Sequence, residues 1–298
     1  MEAEYRPMRL RDRAIRALRD GAPIRRLHRS KEFVEDRVRE RAERSIQPKY
    51  LAVKYRTRYG RAAPRVDRLI RIDPADVDHL LSPHFWNRVS IYTTHVRGGE
   101  WDRNYTDEQV ILSGRHEGMT IPSLIGFDNY LFFRGCTEHF DEGVPWEDTE
   151  LYGRILENRD LYWDRYDSKA AIDNTLAELD RLYDSMTTDG YLQQGEIRGG
   201  DERSLAFHDT RSQPVYHEIA VDIGRDGEVV FDDGKHRFVV ARVAGLSDIP
   251  VRVLVRHEEW QDVRSEISRA GSPDELSSHA RSHLGHPDLD HLFPDSWL

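Results

Sequence analysis

The chain has 298 residues, of which 38% are hydrophobic and 33% charged. That is the size of one large or two ordinary domains, with enough apolar content for a buried core, so a disordered chain is excluded. No apolar run is long enough to cross a bilayer, the first residues are charged, and Cys136 is the single cysteine, so we expect no membrane partner, no disulfide framework and a cytoplasmic location.

The net charge of −10 is unevenly spread: residues 1–75 carry 22 Lys and Arg against 11 Asp and Glu, whereas residues 76–298 carry 22 against 43. Residues 1–71 read as a basic helical arm. Arg9, Arg11, Arg13, Arg16 and Arg19 crowd a first helix that Gly21 and Pro23 end, and Val34, Val38, Ala42 and Ile46 recur at four-residue spacing as an apolar stripe on a second. An arginine-rich stretch over residues 5–30 can contact nucleic acid or pack on the acidic remainder of its own chain. The interleaved acids and the lack of a DNA-binding motif favour packing.

Residues 72–167 read as a mixed α/β region. Val89–Val96 is expected as a strand, Leu124–Phe133 is rich in aromatic and branched residues with a turn or bulge at Gly126, and Pro145–Thr149 is expected to open a helix over Glu150–Arg159. Acids lie beside aromatic rings at Glu100, Trp101 and Asp102, and again at Glu138, Trp146, Glu147 and Asp148. Such groups can hold a sugar, a base or a metal, or can cap helices around anchoring rings. Without metal-ligand spacing the second use is expected. Cys136, three residues from His139 in an expected loop, reads as a packed and inert thiol.

Residues 168–188 are expected as a helix with Ile172, Leu176, Leu179, Leu182 and Tyr183 on its inner face, Asn174, Asp180 and Arg181 on its outer face, and a stop at Asp189-Gly190. After a loop over 195–214, Ile219, Val221 and Ile223 alternate as in a half-buried strand, Arg225-Asp226-Gly227 signals a hairpin, and Glu228–Phe231 returns as a second strand. A helix over Phe238–Ala244 ends at Gly245, and Val251, Val253 and Val255 alternate with Arg252 and Leu254 in a last strand. Residues 258–298 read as a helical tail in which Trp260 packs in the core, and His279, His283, His286 and His291 are exposed rather than zinc-bound.

The sharpest motif is Asp232-Asp233-Gly234-Lys235-His236-Arg237, a glycine turn between a strand and a helix. A helix start leaves backbone N–H groups without intrahelical partners, and its dipole favours an anion. Lys235, His236 and Arg237 add cationic donors, Arg237 being able to grip a phosphate bidentately. Asp232 and Asp233 can hold a divalent cation, and Asp233 and His236 can move protons. In the plainer alternative Asp233 caps the helix, and His236 and Arg237 pair with surface acids.

The stretch from Leu176 to His257 resembles the ParB/sulfiredoxin-like family, often labelled ParB-like nuclease. Two blocks carry the resemblance: Leu182-Tyr183-Asp184-Ser185-Met186 with Gly190-Tyr191-Leu192-Gln193-Gln194, and Asp233-Gly234-Lys235-His236-Arg237 with Ala241, Ala244-Gly245 and Ile249-Pro250-Val251. More loosely, Ile72–Val255 resembles proteins of halophilic archaea that carry this domain. A high acid content with only five lysines, Lys31, Lys49, Lys54, Lys169 and Lys235, suits such a source.

The resemblance implies an α+β protein whose residues 168–257 form a small α/β domain, with Gly234, His236 and Arg237 matching the turn that holds a nucleotide or other phosphate-bearing ligand and Gln194 near the family's first-block glutamine; Lys235 adds charge to that turn. It also implies phosphoryl transfer or hydrolysis of the nuclease or NTPase kind, for which Asp232 and Asp233 are the residues able to hold magnesium. Lysine at position 235 excludes sulfiredoxin chemistry, which needs a cysteine in the turn. A non-catalytic module that uses the arginine-rich arm is the alternative expectation.

Overall fold

The computed structural model describes residues 46–81, 92–106, 124–157, 168–197, 213–293 and 297. Tyr50–Leu298 forms one compact unit. The two arginine- and valine-patterned helices expected before Ile46 lie outside the described residues, as do Val89–Ile91 of the expected strand and most of the 195–214 loop.

The fold is mixed α+β. Its strands are β1 (Leu69–Ile72), β2 (His79–Leu81), β3 (His95–Arg97), β4 (Tyr105–Thr106), β5 (Leu124–Gly126), β6 (Ala220–Ile223), β7 (Val229–Asp233) and β8 (Ile249–His257). They form one sheet in the order β1-β8-β6-β7-β2-β5-β4, with β3 also paired to β8. β1 runs antiparallel along the start of β8, Leu69 opposite Arg252, and β3 runs parallel along its end, His95 opposite Val255. β8 is thus central and buried along its whole length, its Arg252, Arg256 and His257 included. Strands from residues 69–126 and from 220–257 share this sheet, so the expected boundary at 167/168 does not divide it.

The β6–β7 hairpin turns where expected. Gly227 has φ +84°, and a Cβ there would lie 2.8 Å from the Trp260 ring, so both conformation and packing require glycine. One sheet face, with Val221, Ile223, Phe231, Val251 and Val253, builds the main core. Helices α2 (Leu131–Phe140), α3 (Glu150–Glu157), α4 (Lys169–Asp189) and α6 (Lys235–Val243) contribute to that core, as do Leu51, Tyr55 and Tyr59 of α1 (Gln47–Tyr59), and α5 (Gln194–Ile197) is a single turn. Residues 50–71 therefore belong with the body and not with an arm that ends at 71. The opposite face carries a smaller cluster of Leu81, Trp101, Leu124, Ala220, Val230, Leu254 and Val255.

Helix α4 starts at an Ser168 hydroxyl cap and stops at Gly190, φ +77°. Its Ile172, Leu176 and Leu179 are buried, as the periodicity required. Asp180, expected on the outer face, instead accepts the Trp146 indole N–H at 2.7 Å while the His139 ring stacks on Trp146 at 4.0 Å. Cys136 and His139 lie in α2, not in a loop, and burial pushes the Cys136 thiol pKa up. Asp102 is buried against Arg225, whose Nε and Nη2 donate to its carboxylate at 2.8–3.2 Å. Asp102 thus holds the turn at Arg225, and Glu138 accepts the Glu150 N–H at 3.1 Å at the start of α3.

The expected tail is part of the core. Trp260, Val263 and Ile267 of α7 (Glu258–Arg269) are buried, and a short α8 (Ser278–Ser282) follows. His286, expected to be exposed, donates from Nε2 to the Gly227 carbonyl at 2.9 Å and accepts the Asp288 N–H on Nδ1 at 3.1 Å. Burial pushes its pKa down to about 4, with His283 and Arg256 acting in the same sense and Asp288 against it.

An unfolded histidine protonates near pH 6.5, so the stability that neutral His286 supplies is complete above that pH. It is withdrawn as the pH falls towards 4, by about 3 kcal/mol over the window. NMR of the ring nitrogens should show the Nε2–H tautomer persisting down to pH 5; protonation with a midpoint above 6 would refute this. Among the described residues no helix is long and apolar enough to cross a membrane.

Candidate functional site

β7 ends in Asp232 and Asp233, and α6 begins at Lys235, with Gly234 at φ +93° between them. A Cβ on Gly234 would stand 3.2 Å from the Ile219 backbone, so the left-handed turn also lets two segments approach closely. The helix therefore starts three residues earlier than Phe238. Glycine offers the helix no side-chain cap, and the exposed Asp233 carboxylate accepts the Gly234 N–H at 2.7 Å. Lys235 and His236 are half-exposed on the first turn and lean on Phe132, with the Lys235 ammonium 5.5 Å and the His236 ring 5.4 Å from that ring.

Arg237 does not project towards a ligand. It is buried, and its guanidinium donates to Glu218 Oε2 at 3.3 Å, to the Tyr191 hydroxyl at 2.9 Å and to the His217 carbonyl. Glu218, itself buried, also accepts the Gln194 backbone N–H at 2.6 Å and the Tyr191 O–H at 3.1 Å. Burial is the main reason the Tyr191 phenol pKa rises. Gln194 is 1% exposed, and neither polar atom of its side-chain amide has a partner among the described residues. Gln194 and Arg237 are thus joined through Glu218, a residue the sequence reading passed over. Its signal was an acid placed directly before a buried strand.

The two predicted metal ligands part company. Asp232 is buried and hydrogen-bonded to Asp222 of β6, whereas Asp233 is exposed and turned onto the Gly234 amide. Burial pushes Asp222 up to about 7 and Asp232 well above the usual carboxylate range. Among the described residues no group of three or more His, Cys, Asp or Glu side chains is placed to hold a metal ion, the four C-terminal histidines included. The two expected magnesium ligands do not converge: the Asp232 carboxyl is buried within the sheet, and the Asp233 carboxylate is turned outward onto the Gly234 amide.

Comparison with protein-family models, with curated proteins and with solved structures returned no match. Fold and site together define an α+β protein with a strand–glycine–helix elbow at one end of a mixed sheet, backed by a buried Glu218–Arg237–Tyr191 knot.

Proposed function

We propose that the Gly234 elbow binds a phosphate-bearing ligand, a nucleotide or a phosphate ester, through the first-turn amides of α6 and the side chains of Lys235 and His236. The observation that carries this reading is the left-handed Gly234 set directly between β7 and the nine-residue helix α6. It brings a helix N-terminus, with its partial positive charge, to a half-exposed position beside one ammonium and one imidazole. Arg237 acts from behind: its pairing with Glu218 fixes the first turn of α6 against the segment that precedes β6.

For nuclease or NTPase chemistry, His236 is the group on that turn able to donate a proton to a ligand oxygen. Asp233 holds the turn through the Gly234 amide, and no step is routed through a metal. The alternative of a module that binds through residues 5–30 rests on residues outside those described.

Calorimetric titration with a nucleoside triphosphate and with inorganic phosphate tests the proposal. Lys235→Ala and His236→Ala should each weaken binding about tenfold or more, the effect of losing a charge-assisted hydrogen bond of roughly 1.5–3 kcal/mol. Absent binding by the wild type, or equal Kd values across the three proteins, would refute it.

A further inference from the structure

A groove of about 580 Å³ opens between the C-terminal end of α1, helix α7 and the turn at Pro273–Glu275. That volume lies within the range of pockets that hold small ligands. The buried Tyr59 and Ser265 and the half-buried Ala270 line it, together with the exposed Arg58, Asp262 and Arg269. The two arginines stand in the last turns of α1 and α7, where the helix dipole favours a cation.

Some polar groups around the groove are already committed. Glu266 accepts the Ser277 N–H and the Ser277 hydroxyl, and Glu275 accepts the Gly271 N–H at 2.8 Å, so both carboxylates tie down the chain that follows α7. The Ser265 hydroxyl donates to the Gln261 carbonyl at 2.8 Å. Arg58, Asp262 and Arg269, by contrast, enter no hydrogen bond or ion pair among the described residues. The Arg58 guanidinium lies 5.1 Å from the centre of the Tyr59 ring, and Arg58 and Asp262 act in opposite senses on the Tyr59 phenol, so both charges stand close to the aromatic wall of the groove.

What the groove leaves unpaired is two guanidinium groups and one carboxylate. Their complement is a small molecule with two acid groups and one ammonium. We propose that this groove binds an acidic α-amino acid such as glutamate, its carboxylates on Arg58 and Arg269, its ammonium on Asp262 and its methylene groups against Tyr59 and Ala270. A guanidinium offers paired N–H donors that match a carboxylate, whereas an ionised Asp262 only accepts, so the three side chains also fix which way round the ligand lies. The groove shares no residue with the Gly234 elbow, and its occupation is independent of the phosphate reading.

Two-dimensional NMR of the full chain tests the site, with L-glutamate in one titration and glutarate, which keeps the two carboxylates and lacks the ammonium, in another. At low ionic strength the Ser265 and Ala270 amide signals should shift saturably with L-glutamate at a Kd of about 1 mM or below, and glutarate should bind about tenfold more weakly. Arg58→Ala and Arg269→Ala should each weaken L-glutamate about tenfold. Asp262→Asn should bring L-glutamate down to the glutarate level without weakening glutarate. Circular dichroism checks the fold of each variant, and the comparison of the two ligands on the wild type decides without them. Absent or unsaturable shifts, equal affinity for the two ligands, or unchanged binding in the folded arginine variants would overturn the proposal.

Discussion

Replacing Asp288 with alanine is expected to lower the unfolding free energy by about 3–5 kcal/mol, the range for removing one partner from a buried ionic cluster. Asp288 is fully buried and accepts from Arg256 Nε at 2.9 Å and Nη2 at 2.6 Å, from the Trp260 indole at 3.0 Å, and pairs with Arg264 Nη1 at 2.6 Å. Burial alone would raise the pKa of this carboxyl, but Arg256 and Arg264 outweigh it and hold the group well below the usual range. Alanine would leave two guanidinium groups, each 1% exposed, without their carboxylate. It would also remove the side-chain tie between the segment after α8 and both β8 and α7. Urea unfolding at pH 7 measures the loss; a change under 1 kcal/mol would show that the cluster relaxes or hydrates cheaply.

Arg237→Ala carries the second large effect, and it separates a structural arginine from a ligand-gripping one. The substitution leaves Glu218 buried with only the Tyr191 hydroxyl and the Gln194 amide as donors, so a loss of about 3 kcal/mol is expected. Glu218→Gln relieves the same buried charge. In a double-mutant cycle the pair should therefore be non-additive, the double variant being less destabilised than the sum of the singles. Had Arg237 reached solvent to hold a phosphate, Tm would scarcely move and only ligand affinity would fall. Thermal unfolding of the four proteins without ligand decides between these outcomes: a drop in Tm under 1 °C for Arg237→Ala would return the residue to the ligand side.

Much of the local structure was legible because glycine and apolar spacing act over a few residues. Gly227 closes the β6–β7 hairpin, Gly190 ends α4 and Gly234 turns the chain from β7 into α6, each with positive φ. The buried positions Ile172, Leu176 and Leu179 follow helical spacing, and Val251 and Val253 share the main-core face as strand spacing requires, while Val255 belongs to the cluster on the opposite face. Less legible was the fate of polar residues within those elements. Alternation in β6 and β8 assigns Asp222 and Arg252 to a solvated face, yet both are buried. That reading takes a sheet with one wet face, and it does not see the cluster around Trp101 and Leu254 that covers the other. His286 misled in the same way, being drawn against the Trp260 ring and the Gly227 carbonyl, while Asp180 keeps a half-exposed side chain that accepts from Trp146.

By itself the amino-acid order determined that this chain folds as α+β, where its turns fall, and that a cationic glycine elbow follows β7. Each of these depends on contacts within a few positions. Only the tertiary structure decided that Arg237 serves Glu218, that Asp232 serves Asp222, and that strands more than a hundred residues apart share one sheet. A charged side chain takes whichever partner the packed fold brings within about 3 Å, and that partner is set by the folding of the whole chain rather than by its neighbours in sequence.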